Sequence, residues 1–232
     1  MKKILGVILL KSKSRRIKKK NFIKIKNKMM FQYILDESIK SSMFDKIHLS
    51  TESEKVRSMI LRMKQNKFYT SIDASFLRPK YMAKDNFKML DVLKYVISEF
   101  AKRGEIYSGI CMMYATALLI KKRDITNFIN YFNKLNKIKN NVSLQTVAQY
   151  PAPIEWSMSL TEKNILKKNK KKNYEKSSDS FDQKFYDTGG LHAITIKSLN
   201  SKKTQNYGFV MPKYQSIDID YKEDLDFAKK LL

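Results

Sequence analysis

The chain alternates short apolar runs with amphipathic stretches. Ile4 to Leu10 is a continuous run rich in branched side chains, which predicts a strand buried on both faces of a parallel sheet. Phe31 to Ser41 then carries Phe31, Ile34, Leu35 and Ile39 at helical spacing. Lys46 to Ser50 reads as a second strand, and Thr51-Glu52-Ser53-Glu54 has the spacing of a capping box opening a helix through Val56, Met59 and Ile60. Met89 to Phe100 repeats the amphipathic pattern on Met89, Leu93, Val96 and Phe100, with Gly104 as its stop. Ser108 to Tyr114 predicts another buried strand, and a helix follows Asp124 along Ile125, Phe128, Ile129 and Phe132. Strand and helix thus alternate through the first part of the chain, the signature of a parallel α/β architecture.

The second part reads differently. Val142 to Gln149 and Ser157 to Leu160 flank YPAPIEW, whose two prolines exclude a regular central strand there. Asn164 to Lys176 is a run of Lys and Asn that predicts a solvated loop between two strands. FYDTGGLHAITI and YGFVM give two more strands, and Asp220-Tyr221-Lys222-Glu223 has the spacing to cap a last helix with Leu225, Ala228 and Leu232 on its inner face. No internal repeat is evident.

Composition narrows the class. At 232 residues and 43% hydrophobic, the chain has the material for one domain with a sizeable core. No apolar run approaches the roughly 18 residues of a membrane span. Lys2 and Lys3 before the first run mimic a secretion signal, yet dense positive charge follows it in place of a small-residue cleavage site. The single cysteine, Cys111, sits inside ICMMYA and predicts a buried structural thiol; a chain with one cysteine forms no internal disulfide, which fits a reducing compartment such as the cytoplasm. His48 and His192 lie far apart in sequence, which argues against a zinc site. His192, in an apolar strand, and Trp156, in PIEW, both predict packing roles.

A net charge of +25, from 47 basic and 22 acidic residues, invites a nucleic-acid partner. Against that, most of the basic residues are Lys, which lacks the bidentate fork of Arg, and they are spread along the whole chain among many Asn and Ile. The densest cluster follows the first strand: Lys11, Lys13, Arg15, Arg16, Lys18, Lys19 and Lys20, with Ser12 and Ser14 between them. In an open α/β sheet, ligands bind beyond the carboxyl ends of the strands, so this loop is placed to neutralise a highly charged anion. A solvated surface loop is the competing reading. The segment holds no glycine, so it is neither a Walker loop nor a dinucleotide fingerprint.

Asp218-Ile219-Asp220 is the second constellation. On extended backbone, side chains at i and i+2 share a side, so both carboxylates can meet one cation. Asp220 also has the spacing to cap the last helix through Glu223, and the two readings are compatible.

The order of these pieces resembles the acylneuraminate cytidylyltransferases, enzymes that activate sialic-acid-type sugars as CMP esters. LLKSKSRRIKKKN is similar to the family's opening P-A-R-G-G-S-K-R-I-P-x-K-N, in the serine- and lysine-bearing form of its pseudaminic acid branch. MFDKIHLSTESEKV resembles L-F-D-x-V-x-V-S-T-D-D-E-x-I, with Glu52 where the family has Asp. FLRPKYMAKD resembles F-x-R-P-x-x-L-A-x-D and supplies Arg78, Pro79 and Asp85. CMMYATALLI is similar to the branch's C-x-Y-A-T-A-x-x-L, and VAQYPAPIEWSM to V-x-x-Y-P-x-P-I-x-x-A-L. KSSD stands for R-S-Q-D, FYDTGG for Y-D-A-G, and SIDIDYKEDLDFA for x-x-D-I-D-T-x-E-D-x-x-x-A. The resemblance spans residues 4 to 230, with Lys11, Lys176 and Ser178 departing from the family's Arg, Arg and Gln.

This resemblance implies a three-layer α/β fold like that of nucleotide-diphospho-sugar transferases, with a mainly parallel sheet. It implies a small inserted dimerisation lobe over roughly residues 148–190 that reaches the partner's site in a homodimer. The implied reaction is transfer of CMP from CTP to a nine-carbon acidic sugar, pseudaminic acid first and sialic or legionaminic acid next, with release of pyrophosphate and dependence on Mg²⁺. The matched positions imply Lys20, Asp218 and Asp220 as catalytic, with the aspartates also holding the metal. Lys11, Ser14, Arg15, Asn21, Arg78, Tyr114 and Thr116 are implied at CTP, and Lys176, Asp179 and Asp187 at the sugar. Such an enzyme works in the cytoplasm of a bacterium or archaeon, with no membrane partner. A basic RNA-binding protein, or a relative that keeps only the fold, are the readings beside it.

Overall fold

The computed structural model describes residues 3–84, 86–169, 171–201 and 203–232, with the side chain of Lys171 also left aside; Asp85 of the FLRPKYMAKD match lies outside the described residues. The first apolar run forms β1 (Ile4–Leu9). After the basic loop come a small hairpin, β2 (Lys24–Ile25) and β3 (Lys28–Met29), and then α1 (Met30–Ser41). Next are β4 (Ile47–Ser50), α2 (Glu54–Met63), β5 (Ile72–Asp73), α3 (Met89–Ala101), β6 (Gly109–Met113), α4 (Lys122–Ile138) and β7 (Val142–Gln149). A second small hairpin pairs β8 (Met158–Leu160) with β9 (Leu166–Lys168). The chain closes with β10 (Phe185–Thr195), α5 (Ile196–Leu199), β11 (Gln205–Val210) and α6 (Lys222–Leu231).

Seven strands form the central sheet in the order β11-β7-β10-β6-β1-β4-β5. All run parallel except β10, which is antiparallel to both of its neighbours. Period-two alternation splits the core between the two faces. Ile4 and Ile8 of β1 and Cys111 and Met113 of β6 pack with Phe31, Ile34, Ile60, Phe128 and Phe132 from α1, α2 and α4. Leu5 and Val7, with Ile110 and Met112, pack instead against Leu93, Val96 and Phe100 of α3. The result is the helix–sheet–helix sandwich expected from the strand–helix alternation.

Three local expectations need correction. Ser53, not Thr51, caps α2, its side chain accepting from Val56 N. Asp224, not Asp220 or Glu223, caps α6: its Oδ2 accepts from Tyr221 N at 2.7 Å and Asp220 N at 3.0 Å. The 164–176 run is not simply a loop, since it contains β9 and a short 3₁₀ turn, Lys171–Glu175. Between β7 and β10, the chain leaves the central sheet and makes its own contacts. There Trp156 Nε1 donates to Asn173 O at 2.9 Å, and the Trp156 ring meets Phe181 edge-on, the packing role expected of it. Cys111 is fully buried, and burial pushes its thiol well above the usual range, so it is the inert core thiol its sequence context predicts.

Candidate active site

The basic loop hangs between the carboxyl end of β1 and the hairpin β2–β3, and it is folded on itself. Lys20 N donates to Ser14 Oγ at 3.2 Å, and Asn21 Nδ2 donates to Lys11 O at 3.3 Å. Lys19 takes the left-handed conformation (φ 52°), which turns the chain at the loop's far end. Ser14 and Asn21 therefore shape the loop, while the Ser14 O–H stays available as a donor.

Lys20 turns away from its neighbours to the end of the chain. Its Nζ donates to Ile219 O at 2.5 Å and to Asp220 Oδ1 at 3.0 Å. Arg16 Nη2 meets the same Asp220 Oδ1 at 2.7 Å, with its guanidinium 5.5 Å from the centre of the Tyr221 ring. The early loop and the late aspartate pair thus close on one another. Asp218 lies deeper. Its Oδ1 accepts from Thr116 Oγ1 at 3.3 Å, and burial, reinforced by the nearby Asp220 charge, raises its pKa above the usual carboxylate range.

Room for Asp218 comes from β10. The register between β10 and β7 breaks between Asp187 and His192, and the two glycines of FYDTGG lie in that break. Gly189 has φ 59°, and a Cβ there would stand 3.3 Å from Asp218 Oδ2. Gly189 N donates back to Asp187 Oδ1 at 2.9 Å, so Asp187 organises the turn and stays exposed. Tyr114, at the end of β6, donates its N–H to Gly190 O at 3.0 Å. Burial, with the charges of Asp187 and Asp218, pushes the Tyr114 hydroxyl up to about 12, so it remains a donor at neutral pH.

A cleft of about 290 Å³ opens among Lys20, Asn21, Tyr114, Thr116, Asp218 and Asp220. Arg16, Lys20 and Asn21 are shared with an adjoining cavity of about 560 Å³, which Lys11, Ser14 and Arg15 also line. One wall is thus acidic and fit for a cation, and the other is cationic and fit for a polyanion. Asp218 and Asp220 are the residues able to hold a metal ion. A like-charged pair whose deeper member is already driven toward protonation, and whose outer member attracts two cationic side chains, suits a hard divalent ion that completes its shell with phosphate oxygens and water.

Not every expected residue reaches this cleft. The Arg78 side chain is only 3% exposed; its Nη2 pairs with Glu52 Oε2 at 2.8 Å and its Nη1 donates to Ser50 O at 3.4 Å. Buried against Glu52 and the end of β4, it is absent from the lining of the cleft, where a nucleotide contact was expected. Lys176 and Asp179 are exposed in the segment between β7 and β10. Asp179 lines a separate hollow of about 440 Å³ that shares no residue with the central cleft. Conversely, Arg16 reads in the sequence only as one cation of the basic loop, whereas the structure pairs it with Asp220. Glu52 was visible as part of the capping sequence and as a departure from the family's Asp, with no site role. His192 Nε2 lies 2.8 Å from Ser143 Oγ, consistent with the packing role expected of it.

Known proteins resemble the chain in sequence and in fold. A pseudaminic acid cytidylyltransferase from Campylobacter jejuni is 27% identical over 99% of this chain and 96% of its own length. A Helicobacter pylori protein described as pseudaminic acid cytidylyltransferase and UDP-2,4-diacetamido-2,4,6-trideoxy-beta-L-altropyranose hydrolase is 30% identical, over 67% of this chain and 28% of its own. In fold, the structure matches a CMP:2-keto-3-deoxy-manno-octonic acid synthetase complexed with CTP at a TM-score of 0.65, with 11% identity, covering 99% of this chain and 98% of that one. The family model for cytidylyltransferases matches residues 5–231, nearly the whole sequence, and the chain belongs to the cytidylyltransferase family.

Proposed function

We propose that this chain transfers CMP from CTP to a nonulosonic acid, pseudaminic acid in the first place, and releases pyrophosphate. The observation that carries the reading is the 3.0 Å approach of Lys20 Nζ to Asp220 Oδ1, which joins the cationic loop to the aspartate pair in one cleft. The kinship with pseudaminic acid cytidylyltransferases supports the choice of sugar.

In the reaction, the sugar's anomeric hydroxyl attacks the α-phosphorus, the bond to the bridging oxygen of the pyrophosphate breaks, and the hydroxyl's proton is given up to water. Such a displacement is accelerated mainly by alignment and by charges aimed at the reacting phosphate. Lys20 stands at the junction of the two walls, where its ammonium faces the transferred phosphoryl group. Lys11, Arg15 and the Ser14 O–H meet the β- and γ-phosphates, and these carry the leaving charge. Asn21, Tyr114 and Thr116 border the nucleoside end, and Asp187, exposed at the mouth, accepts hydrogen bonds from the sugar. Asp218 and Asp220 would hold Mg²⁺, and the bound ion would make the sugar hydroxyl more acidic and screen the phosphate charge. Held by Lys20, Asp220 is already oriented before any ion arrives.

The sugar end is completed by a second copy of the chain. Lys176 and Asp179 lie away from their own cleft, in a segment that exposes Leu160, Ile165 and Leu166 at 62%, 58% and 60%. Paired in a homodimer, this segment covers its apolar surface and brings those side chains to the partner's site. Among the described residues no helix is long and apolar enough to cross a membrane. We assign the reaction to the cytoplasm because CTP, the proposed donor, is a cytoplasmic nucleotide.

The test is pyrophosphate release with CTP, UTP and ATP, each against pseudaminic, legionaminic and sialic acids. Release with CTP and pseudaminic acid, several-fold above the other pairs, is the expected result. No release with any pair overturns the proposal.

A further inference from the structure

Below the cleft, three segments meet at one carboxylate. Glu52 lies in the turn between β4 and α2, and its side chain is 10% exposed. One oxygen, Oε1, accepts from Ser12 N at 2.8 Å, at the root of the basic loop. The other, Oε2, holds Arg78 Nη2 at 2.8 Å. Backbone bonds fix the same junction, Leu10 N to Ser50 O at 2.8 Å and Arg78 N to Thr51 O at 2.9 Å. Arg78 Nε and Ser50 Oγ are buried there without partners, so Glu52 supplies the anion for a guanidinium that is otherwise poorly satisfied.

From this junction we infer that Glu52 is a positioning residue for cytidylyl transfer, setting the path of the phosphate-binding loop through Ser12 N–H while Arg78 holds the carboxylate in place. The inference rests on the proposed function for its kinetic consequence, though the clamp itself is a property of the fold. A carboxylate between two donors is held in the ionised form: burial pushes Glu52 up, but the Ser12 bonds and the Arg78 charge outweigh it and keep its pKa below the usual range. An ionised carboxylate accepts at both oxygens. A Gln side chain has one carbonyl oxygen and one NH₂, so it must turn a donor toward either Ser12 N–H or Arg78. An Asp keeps the charge but is one methylene shorter and cannot span both partners from the same backbone.

The experiment compares wild type with Glu52→Gln, Glu52→Asp and the double variant Glu52→Leu/Arg78→Met. The clamp predicts a KM for CTP raised about tenfold or more in both single variants, with the KM for the sugar unchanged and the melting temperature within a few degrees. The double variant removes the guanidinium together with every acceptor that position 52 offers Ser12 N–H, so its KM for CTP stays raised. A KM restored in the double variant would show that Glu52 only neutralises Arg78, and an unchanged KM in the single variants would remove the role altogether; either overturns the inference. Amide hydrogen exchange in the absence of substrates reads the clamp without catalysis. Faster exchange over residues 12–20 in Glu52→Gln, with β4 unchanged, is expected, and unaltered loop exchange overturns the inference. If wild type itself releases no pyrophosphate, the functional reading fails while the exchange measurement still decides the clamp.

Discussion

Asp220 touches two cations through a single oxygen, Lys20 at 3.0 Å and Arg16 at 2.7 Å, and its side chain is 26% exposed. The capping bonds of α6 go elsewhere, to Asp224. Function and stability are therefore separable at this residue. Asp220→Asn should lower kcat by about 100-fold or more while the melting temperature, read by calorimetry, moves by no more than a couple of degrees. A large loss of stability with activity retained would show that the carboxylate serves the fold alone. Lys20 and the aspartate pair were legible because their residue types and order are specific, even though 200 positions separate them. Arg78 was legible as a named position but not as a buried one. Only the geometry shows that Glu52 claims its guanidinium.

At the scale of elements, helix ends were the least readable feature. TESE and DYKED each crowd several capping side chains into a few positions, and sequence spacing alone ranks them nearly equal. Tertiary partners settle the choice. Glu52 is taken by Ser12 and Arg78, leaving Ser53 to cap α2. Asp220 is taken by Lys20 and Arg16, leaving Asp224 to cap α6. Asp224→Ala should cost about 1 kcal/mol of stability. Because Asp224 also accepts from Asp220 N, the variant should weaken metal-dependent turnover modestly, by a few-fold. Thermal melting and steady-state rates check both, and a silent Asp224→Ala would remove the cap. The long helices were readable because each buries one apolar face at helical spacing, and the central strands because their short apolar runs are buried on both faces. The segment between β7 and β10 was not, since it packs few apolar side chains of its own.

Across the whole molecule, the two histidines give stability a pH dependence. His48 is fully buried; its Nδ1 lies 2.7 Å from Asp73 Oδ2, an acceptor-only carboxylate, so Nδ1 carries the proton. Its Nε2 is buried with no partner and stacks within a wall of Phe76 and Phe100, where an added proton would find no acceptor. Burial accordingly lowers the pKa of His48, and of His192 as well, despite the favourable effect of neighbouring carboxylates. Each unfolded histidine takes up its proton near pH 6.5, while the folded one resists. Stability is therefore full above about pH 6.5 and declines as pH falls below it, by up to about 1.4 kcal/mol per pH unit per histidine until the folded group also titrates. Denaturant melts between pH 7.5 and 5.5 should show this decline, with part of the slope lost in His48→Gln and part in His192→Gln. A flat profile would contradict the burial of both rings as neutral groups.

If the basic loop and the aspartate pair act on the same triphosphate, CTP and Mg²⁺ bind as a linked pair. Calorimetric binding of CTP, with and without Mg²⁺, tests it most directly in wild type, Lys20→Met and the Asp218→Asn/Asp220→Asn double variant. Mg²⁺ should tighten CTP binding in wild type, Lys20→Met should weaken CTP binding under both conditions, and the aspartate variant should still bind CTP but no longer respond to Mg²⁺. A Mg²⁺ response that survives without the aspartates, or CTP binding indifferent to Lys20, would contradict action on one triphosphate.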